Sequence, residues 1–414
     1  MTTVKPFAAW RPVKKFAPAV ASRPYDVLNR TEAKADAHNN PYSFLHVTRA
    51  EINLPDNVDE HDARVYQQAK TYFNMLVSNG VLEKDKTATY YIYAQTMNNR
   101  QQIGIAGLLS VDDYLNGRIK KHELTRPEKE KDRTDHMIAT GLHAEPVLMT
   151  YKQHSDIDTI VNRIVQISDP VYDFTTPDGV QHSLWTVTKK ADAIYFEMYF
   201  ANDIPAIYIA DGHHRAASAT RACLEMRKQN PGYNGSEGFN FFPAVLFPGN
   251  QLYIMDYNRV VKDLNGMQPN EFLQKLEQDF TVTARTKPAK PAKAHEFGMY
   301  LNQKWYQLIP NKQHIPAKDP IASLDVSILS ELVLNKLLNI KDQRTDNRID
   351  FVGGIRGMAE LEHRVNSGEM SVAFAIHPVT VNQLINVADS GNIMPPKSTW
   401  FEPKLRSGLL IHQF

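Results

Sequence analysis

The stretch Ile207-Tyr208-Ile209-Ala210-Asp211-Gly212-His213-His214-Arg215-Ala216-Ala217 constrains the fold more than any other part of this chain. A short apolar run enters it from Pro205, as a buried strand does, and an alanine-rich, helix-favouring segment leaves it through Arg227. The polar residues therefore fall at a strand-to-helix corner. The first turn of a helix carries backbone N–H groups without intrahelical partners and the positive end of the helix dipole, a combination that holds an anion. His213, His214 and Arg215 add donors, and Gly212 lets the backbone turn and approach a ligand closely. Two other readings stay open. Asp211-Gly212 is also an ordinary helix cap and turn. Asp211, His213 and His214 carry metal-ligand atoms, with Asp211 the metal candidate, but adjacent histidines in a tight turn rarely converge on one ion.

At 414 residues the chain exceeds the roughly 250–300 residues at which single cores stop growing, so two or more lobes are expected. Its 42% hydrophobic and 22% charged residues are those of a globular protein. A net charge of +1 gives no footprint for extended nucleic-acid binding, so the expected partner is a small anionic or phosphorylated metabolite rather than nucleic acid. Nothing in the sequence sets the oligomeric state. The only cysteine, Cys223, lies inside the helix after the corner and reads as core packing. Residues 1–18 lack the apolar stretch of a secretory signal, and no run approaches the about 20 apolar residues of a membrane-spanning helix. A cytoplasmic protein with no membrane partner is expected.

Residues 1–60 read as an irregular, extended arm packing on the body, with prolines throughout. Apolar spacing predicts a helix from Asp62 to Val77, and Ala88–Gln95 and Ile103–Leu109 read as strands around Asn98-Asn99. A second polar cluster follows: Lys121-His122-Glu123-Leu124-Thr125-Arg126-Pro127. Thr125 fits the cap of a helix whose first turn holds Pro127, Glu128 and Glu130, with His122 and Glu123 just ahead of it. A solvated charged face explains the same run. Further strands are expected at Pro146–Tyr151 and Ser183–Val187, and helices at Asp156–Ile167 and Ala191–Tyr199. Past the corner, Phe242–Phe247 and Gln251–Tyr257 read as a hairpin turning at Pro248-Gly249-Asn250. Met299–Leu308 reads as one strand, Asp325–Leu338 as an amphipathic helix and Val372–Ile376 as a buried strand. Irregular alternation of the two element types predicts an α+β fold with mixed β-sheets and flanking helices.

A third cluster closes the chain: Met394-Pro395-Pro396-Lys397-Ser398-Thr399-Trp400, then Pro403-Lys404 and Ser407-Gly408-Leu409. One cation and two hydroxyls in sequence, Lys397, Ser398 and Thr399, suit phosphate oxygens, and flanking prolines lower the cost of ordering the loop. A proline-rich tail tucked against the body is the alternative.

Together these clusters resemble the bacterial and archaeal family catalogued as domain of unknown function number 1015. The resemblance rests on Pro6-Phe7, Pro24-Tyr25-Asp26, Ser43-Phe44-Leu45-His46-Val47, Lys121-His122-Glu123-Leu124-Thr125, Ala210-Asp211-Gly212-His213-His214-Arg215 and the C-terminal cluster. The Asp-Gly-His-His-Arg element is also similar to the signature of the ParB/sulfiredoxin superfamily, in which such a strand-turn-helix holds phosphate. One branch of that superfamily phosphorylates free serine from a nucleotide, and others bind CTP and DNA or reduce oxidised cysteine. The resemblance implies a ParB/sulfiredoxin-like core over residues 61–260, with the arm 1–60 before it and a C-terminal lobe, 261–414, bringing the Met394–Thr399 loop to the site. It implies Asp211, Gly212, His213, His214 and Arg215 as the phosphate-binding element, with Arg126, Lys397, Ser398 and Thr399 added. A glutamate base near the chain start makes Glu51 and Glu123 candidates, with His122 the alternative base and His214 beside the reacting group. The cysteine of sulfiredoxin chemistry is missing.

The expected activity is phosphoryl transfer between a nucleotide, ATP or ADP, and a small hydroxylated metabolite such as serine. Magnesium is expected through Asp211 or on the nucleotide phosphates. A nucleotide- or nucleic-acid-binding regulator without turnover, and a phosphomonoester hydrolase, are the alternatives.

Overall fold

The computed structural model describes residues 2–316 and 318–414. The chain forms two compact units. The first combines Met1–Lys121, Thr125–Leu252 and Pro403–Phe414; the second combines His122–Leu124 with Tyr253–Glu402. Residues 1–60, expected as an arm, lie in the first unit, and the last twelve residues return to it.

The first unit is built on a nine-stranded sheet. Its main path runs Ile119–Lys120, Ile207–Asp211, Val147–Tyr151, Phe241–Pro248, Arg100–Ser110, Tyr91–Met97, Gln181–Thr186, Tyr172–Thr175, and Val4–Lys5 adds to Arg100–Ser110. The strand Phe241–Pro248 is parallel to Val147–Tyr151 and antiparallel to Arg100–Ser110, so the sheet is mixed as expected. The hairpin at Asn98-Asn99 turns through two residues at φ 51° and 61°, a backbone asparagine tolerates better than most side chains. The helix Ser155–Ile167 buries Ile157, Ile160, Val161 and Ile164, one apolar stripe at helical spacing. Each such side chain gains roughly 1.5–3 kcal/mol by leaving water.

Two helices carry the site residues. Pro127–Thr140 starts with proline and ends at Gly141, in the left-handed region, whose N–H bonds the Met137 carbonyl at 2.8 Å. Its N-cap is Arg126 and not Thr125; the Thr125 hydroxyl donates instead to the Glu130 carboxylate, a partner within the first turn. His213–Gln229 buries Ala216, Ala217, Ser218, Ala219 and Ala222. These small residues let the two helices approach, and Ser218 Oγ donates to the Glu130 carbonyl at 3.1 Å. Cys223 is buried there, its Sγ 3.6 Å from Asn240 Oδ1, as core packing predicts. The region expected to be irregular and extended holds short helices, Arg30–Asp36 behind an Asn29/Glu32 capping box and Leu45–Thr48 with Leu45 and Val47 buried.

The second unit has a six-stranded antiparallel sheet in the order Phe280–Arg285, Lys304–Pro310, Phe297–Leu301, Val372–Ile376, Tyr257–Val261, Ile349–Gly353. Three expectations are corrected. The hairpin predicted across Pro248-Gly249-Asn250 does not form, because Phe241–Pro248 already has a neighbour on each side and Tyr257–Val261 pairs within the second sheet. The single strand predicted at 299–308 is two strands, turning at Asn302 and Gln303 with φ 48° and 60°. The helix predicted at 325–338 is α-helical over Asp325–Leu329 and π-helical over Ser330–Asn335. Among the described residues no helix is long and apolar enough to cross a membrane.

Candidate functional site

Asp211 ends the strand Ile207–Asp211, just past a register shift against Val147–Tyr151. The helix His213–Gln229 begins two residues later. Gly212 between them has φ +96°, and a Cβ there would lie 2.8 Å from Arg215 Nε. Glycine is required twice, by the left-handed backbone and by the guanidinium folded back against the turn.

That fold-back seals Arg215 at 3% exposure. One terminal nitrogen donates to the Pro146 carbonyl at 2.5 Å and the other to Asp211 Oδ2 at 3.3 Å, with Asp26 Oδ2 4.0 Å away. Burial disfavours the charge, but Asp26, Asp211 and Glu145 outweigh it and raise the guanidinium above its ordinary value. Lys404 Nζ reaches Asp211 Oδ2 at 3.5 Å, and Gln95 Nε2 pins the Lys404 carbonyl at 2.8 Å. Burial raises the Asp211 carboxyl; Lys404, Arg215 and His213 overcome that and hold it well below its ordinary value. Glu145 moves the other way. Burial keeps it raised despite Arg215 and despite donors from Ser407 Oγ at 2.6 Å and the Tyr25 N–H at 3.0 Å.

The network continues inside the first unit. The Arg133 guanidinium lies 4.4 Å from the Tyr25 ring centre and donates to Asp132 at 2.7 Å and to the Thr48 carbonyl at 3.1 Å. Asp132 also accepts from the Tyr66 hydroxyl at 2.8 Å and contacts His61 Nδ1 at 2.8 Å. Glu51 is 3% exposed, with Oε1 2.7 Å from Arg49 Nε. Burial raises its carboxyl above the ordinary range, against the pull of Arg49. His214 Nε2 accepts the Arg126 backbone N–H at 3.0 Å, so the ring proton sits on Nδ1. His213, at 6% exposure, opens the helix.

The structure therefore brings Glu51, Arg126 and Asp211 to Arg215 into one unit, and His122, Glu123, Lys397, Ser398 and Thr399 into the other. In the second unit His122 anchors the C-terminal loop: its carbonyl accepts the Met394 N–H at 2.8 Å, and its Nε2 lies 3.4 Å from Thr399 Oγ1. Ser398 Oγ donates to the Pro395 carbonyl at 2.6 Å. Sequence reasoning assigned no role to Tyr25, Asp26, Glu145 or Lys404. Tyr25-Asp26 and Lys404 stood inside the quoted motifs, which was the available signal; Glu145 carried none.

Among the described residues no group of three or more His, Cys, Asp or Glu could hold a metal. The Asp211 carboxylate, engaged by two cations, fits magnesium poorly and suits the ordering of Arg215 and Lys404.

The chain is similar to a conserved hypothetical protein from Pyrococcus furiosus, 14% identical with a TM-score of 0.36, over 74% of this chain and 94% of that one. A free serine kinase in complex with AMP is 13% identical, with a TM-score of 0.35 over 73% of this chain and 91% of the kinase. SbnI with a C-terminal truncation, from Staphylococcus aureus, is 14% identical, with a TM-score of 0.38 over 74% and 87%. No curated protein matches the chain. The family described as "Protein of unknown function (DUF1015)" matches residues 4–327, and the chain belongs to it.

Proposed function

We propose that the strand-turn-helix of the first unit binds nucleotide phosphate, from ATP or ADP, and that the protein transfers a phosphoryl group between that nucleotide and a small hydroxylated metabolite. The observation that carries this reading is the Lys404–Asp211–Arg215 charge chain at the start of a 17-residue helix. The helix start supplies N–H groups and a positive dipole end for the phosphate, His213 and Lys404 add positive charge around it, and neutral His214 adds its Nδ1–H. Arg215, sealed beneath Gly212, shapes the turn rather than reaching the ligand. Of the three base candidates, Glu51 shares a unit with the motif, and its raised carboxyl suits it to accept the proton of the acceptor hydroxyl. Proton acceptance by Glu51 leaves the hydroxyl oxygen to attack the phosphorus, and the nucleotide leaves with the electrons of the broken P–O bond. Magnesium enters on the nucleotide phosphates in this reading.

The test incubates the protein and His214→Ala with ATP or ADP, magnesium and pooled small metabolites including serine, and follows phosphate-bearing products by mass spectrometry. A product formed by the wild type and lost in the variant is the expected result. Glu51→Gln should keep nucleotide binding while turnover falls by about 10²–10⁴-fold. No nucleotide binding by calorimetry in the presence of magnesium would end this reading, and binding without turnover would move it to a regulatory protein.

A further inference from the structure

The second unit buries a guanidinium for which its own described residues provide no carboxylate. Arg259, on the strand Tyr257–Val261, is 1% exposed. Its terminal nitrogens donate to two neutral acceptors, the Tyr257 carbonyl and the Pro396 carbonyl, the latter at 3.1 Å. Its Nε is buried with no hydrogen-bond partner. Burial pushes the guanidinium down to about 10, opposed by Tyr257 alone. A buried cation held by carbonyl dipoles and a ring face, with no carboxylate, is costly to the fold and calls for an anion.

The surroundings are those of a receptor. Arg259 lies 5.2 Å from the centre of the Phe351 ring, and Lys397 Nζ 5.8 Å from that of Tyr257, so two cations flank one small aromatic group. Pro396, which closes over Arg259, belongs to the Met394–Thr399 loop anchored on His122. Lys397 in that loop has φ 58°, a left-handed backbone that lysine rarely adopts.

We propose that Arg259 and Lys397 form a receptor for the phosphate group of a small molecule in the second unit, shut in this structure by the Pro396 carbonyl. An oxyanion makes charge-assisted hydrogen bonds to a guanidinium about twice as strong as those of a neutral carbonyl, so phosphate displaces Pro396 and the loop moves. The guanidinium fork matches phosphate geometry, and the lysine adds the second positive charge that a dianion needs. This site rests on the second unit alone and does not depend on the reading of the Asp211 turn.

The probe is inorganic phosphate added to the full chain, with amide hydrogen exchange read over residues 394–399. A saturable change in exchange is expected, retained in His214→Ala and weakened about tenfold or more in Arg259→Met. Methionine removes a buried charge without leaving a carboxylate behind, so Arg259→Met should melt at or above the wild-type temperature. Lys397→Met, at an exposed position, keeps the fold and weakens the same response, which holds the test open if Arg259→Met fails to fold. The proposal is overturned if phosphate leaves these amides unchanged, if both methionine variants respond like the wild type, or if acetate acts and phosphate does not. A lowered melting temperature with an intact phosphate response would likewise make Arg259 a tie between two carbonyls and nothing more.

Discussion

Arg215 and Arg259 are the same side chain, buried to nearly the same degree, at 3% and 1% exposure, in two different units. Arg215 has Asp211, Asp26 and Glu145 acting on it and is held charged above its ordinary value; Arg259 has carbonyls and an aromatic ring and is pushed down to about 10. Burial is common to both. What separates them is whether the fold brought its own countercharge. Around Arg215 the chain has built a closed charge network packed against the Gly212 turn. Around Arg259 it has left a charge unanswered.

The largest effect expected from this contrast is on stability. Arg215→Met strands Asp26, Asp211 and Glu145 without their common cation and should cost about 3–5 kcal/mol in urea unfolding, as removal of one partner of a buried ion network does. Arg259→Met strands no carboxylate and removes only the donors to the neutral Tyr257 and Pro396 carbonyls. A loss of equal size in both variants would break the comparison, since burial would then matter and countercharge would not.

Acid separates the units next. Burial pushes His136 and His412 of the first unit down to about 4, and His182 to about 3. The folded state keeps these rings neutral while the unfolded chain protonates near 6.5, so their contribution is complete above 6.5 and drains away as pH falls towards 4. In the second unit Asp325 is raised from 3.8 by burial, with His295 opposing. A carboxyl raised on folding costs stability at high pH, and that cost is relieved as pH falls towards 3.8. The first unit also holds the raised carboxyls of Glu51 and Glu145, which gain as pH falls, but its three displaced histidines outnumber them, so opposite net responses are expected across this window. By about pH 5 each displaced histidine removes about 2 kcal/mol from the first unit. Hydrogen exchange, corrected for its intrinsic pH dependence, should show Val147–Tyr151 losing protection while Val372–Ile376 holds or gains it. Parallel loss in both strands would refute the assignment.

How far the sequence disclosed these features depends on how far apart the interacting residues lie. The corner at Asp211-Gly212 was legible because an apolar run, a turn pair and an alanine-rich helix stand side by side, and the Asn98-Asn99 hairpin was legible for the same reason. The Pro248-Gly249-Asn250 turn looked equally local and misled. The strand before it was already flanked by Arg100–Ser110 and Val147–Tyr151, and no local pattern records that occupancy. The charge network was invisible for a similar reason: Lys404 meets Asp211 across 193 residues, and Ser407 meets Glu145 across 262. Arg259, inside an ordinary strand, carries no signal until its surroundings are known to lack a carboxylate.

The smallest effect sharpens the contrast most, because it concerns the cation that is neither sealed nor stranded. Lys404 shares Asp211 with Arg215, but its side chain keeps 15% exposure and that of Asp211 30%, and its contact is 3.5 Å. Partly exposed pairs of this kind contribute about 1 kcal/mol or less. Lys404→Met should therefore leave unfolding nearly unchanged, because Arg215 alone still compensates Asp211. The Asp211 carboxyl should move up towards its ordinary value, and the acid limb of first-unit unfolding should move up with it. If Lys404 serves a phosphate ligand, nucleotide affinity falls by about tenfold or more while stability holds. Arg215→Met would show the reverse order of effects, a damaged fold before any loss of binding per folded molecule. A Lys404→Met protein that loses as much stability as Arg215→Met would make Lys404 part of the closed network, and the positive charge proposed to meet the phosphate would have to come from His213.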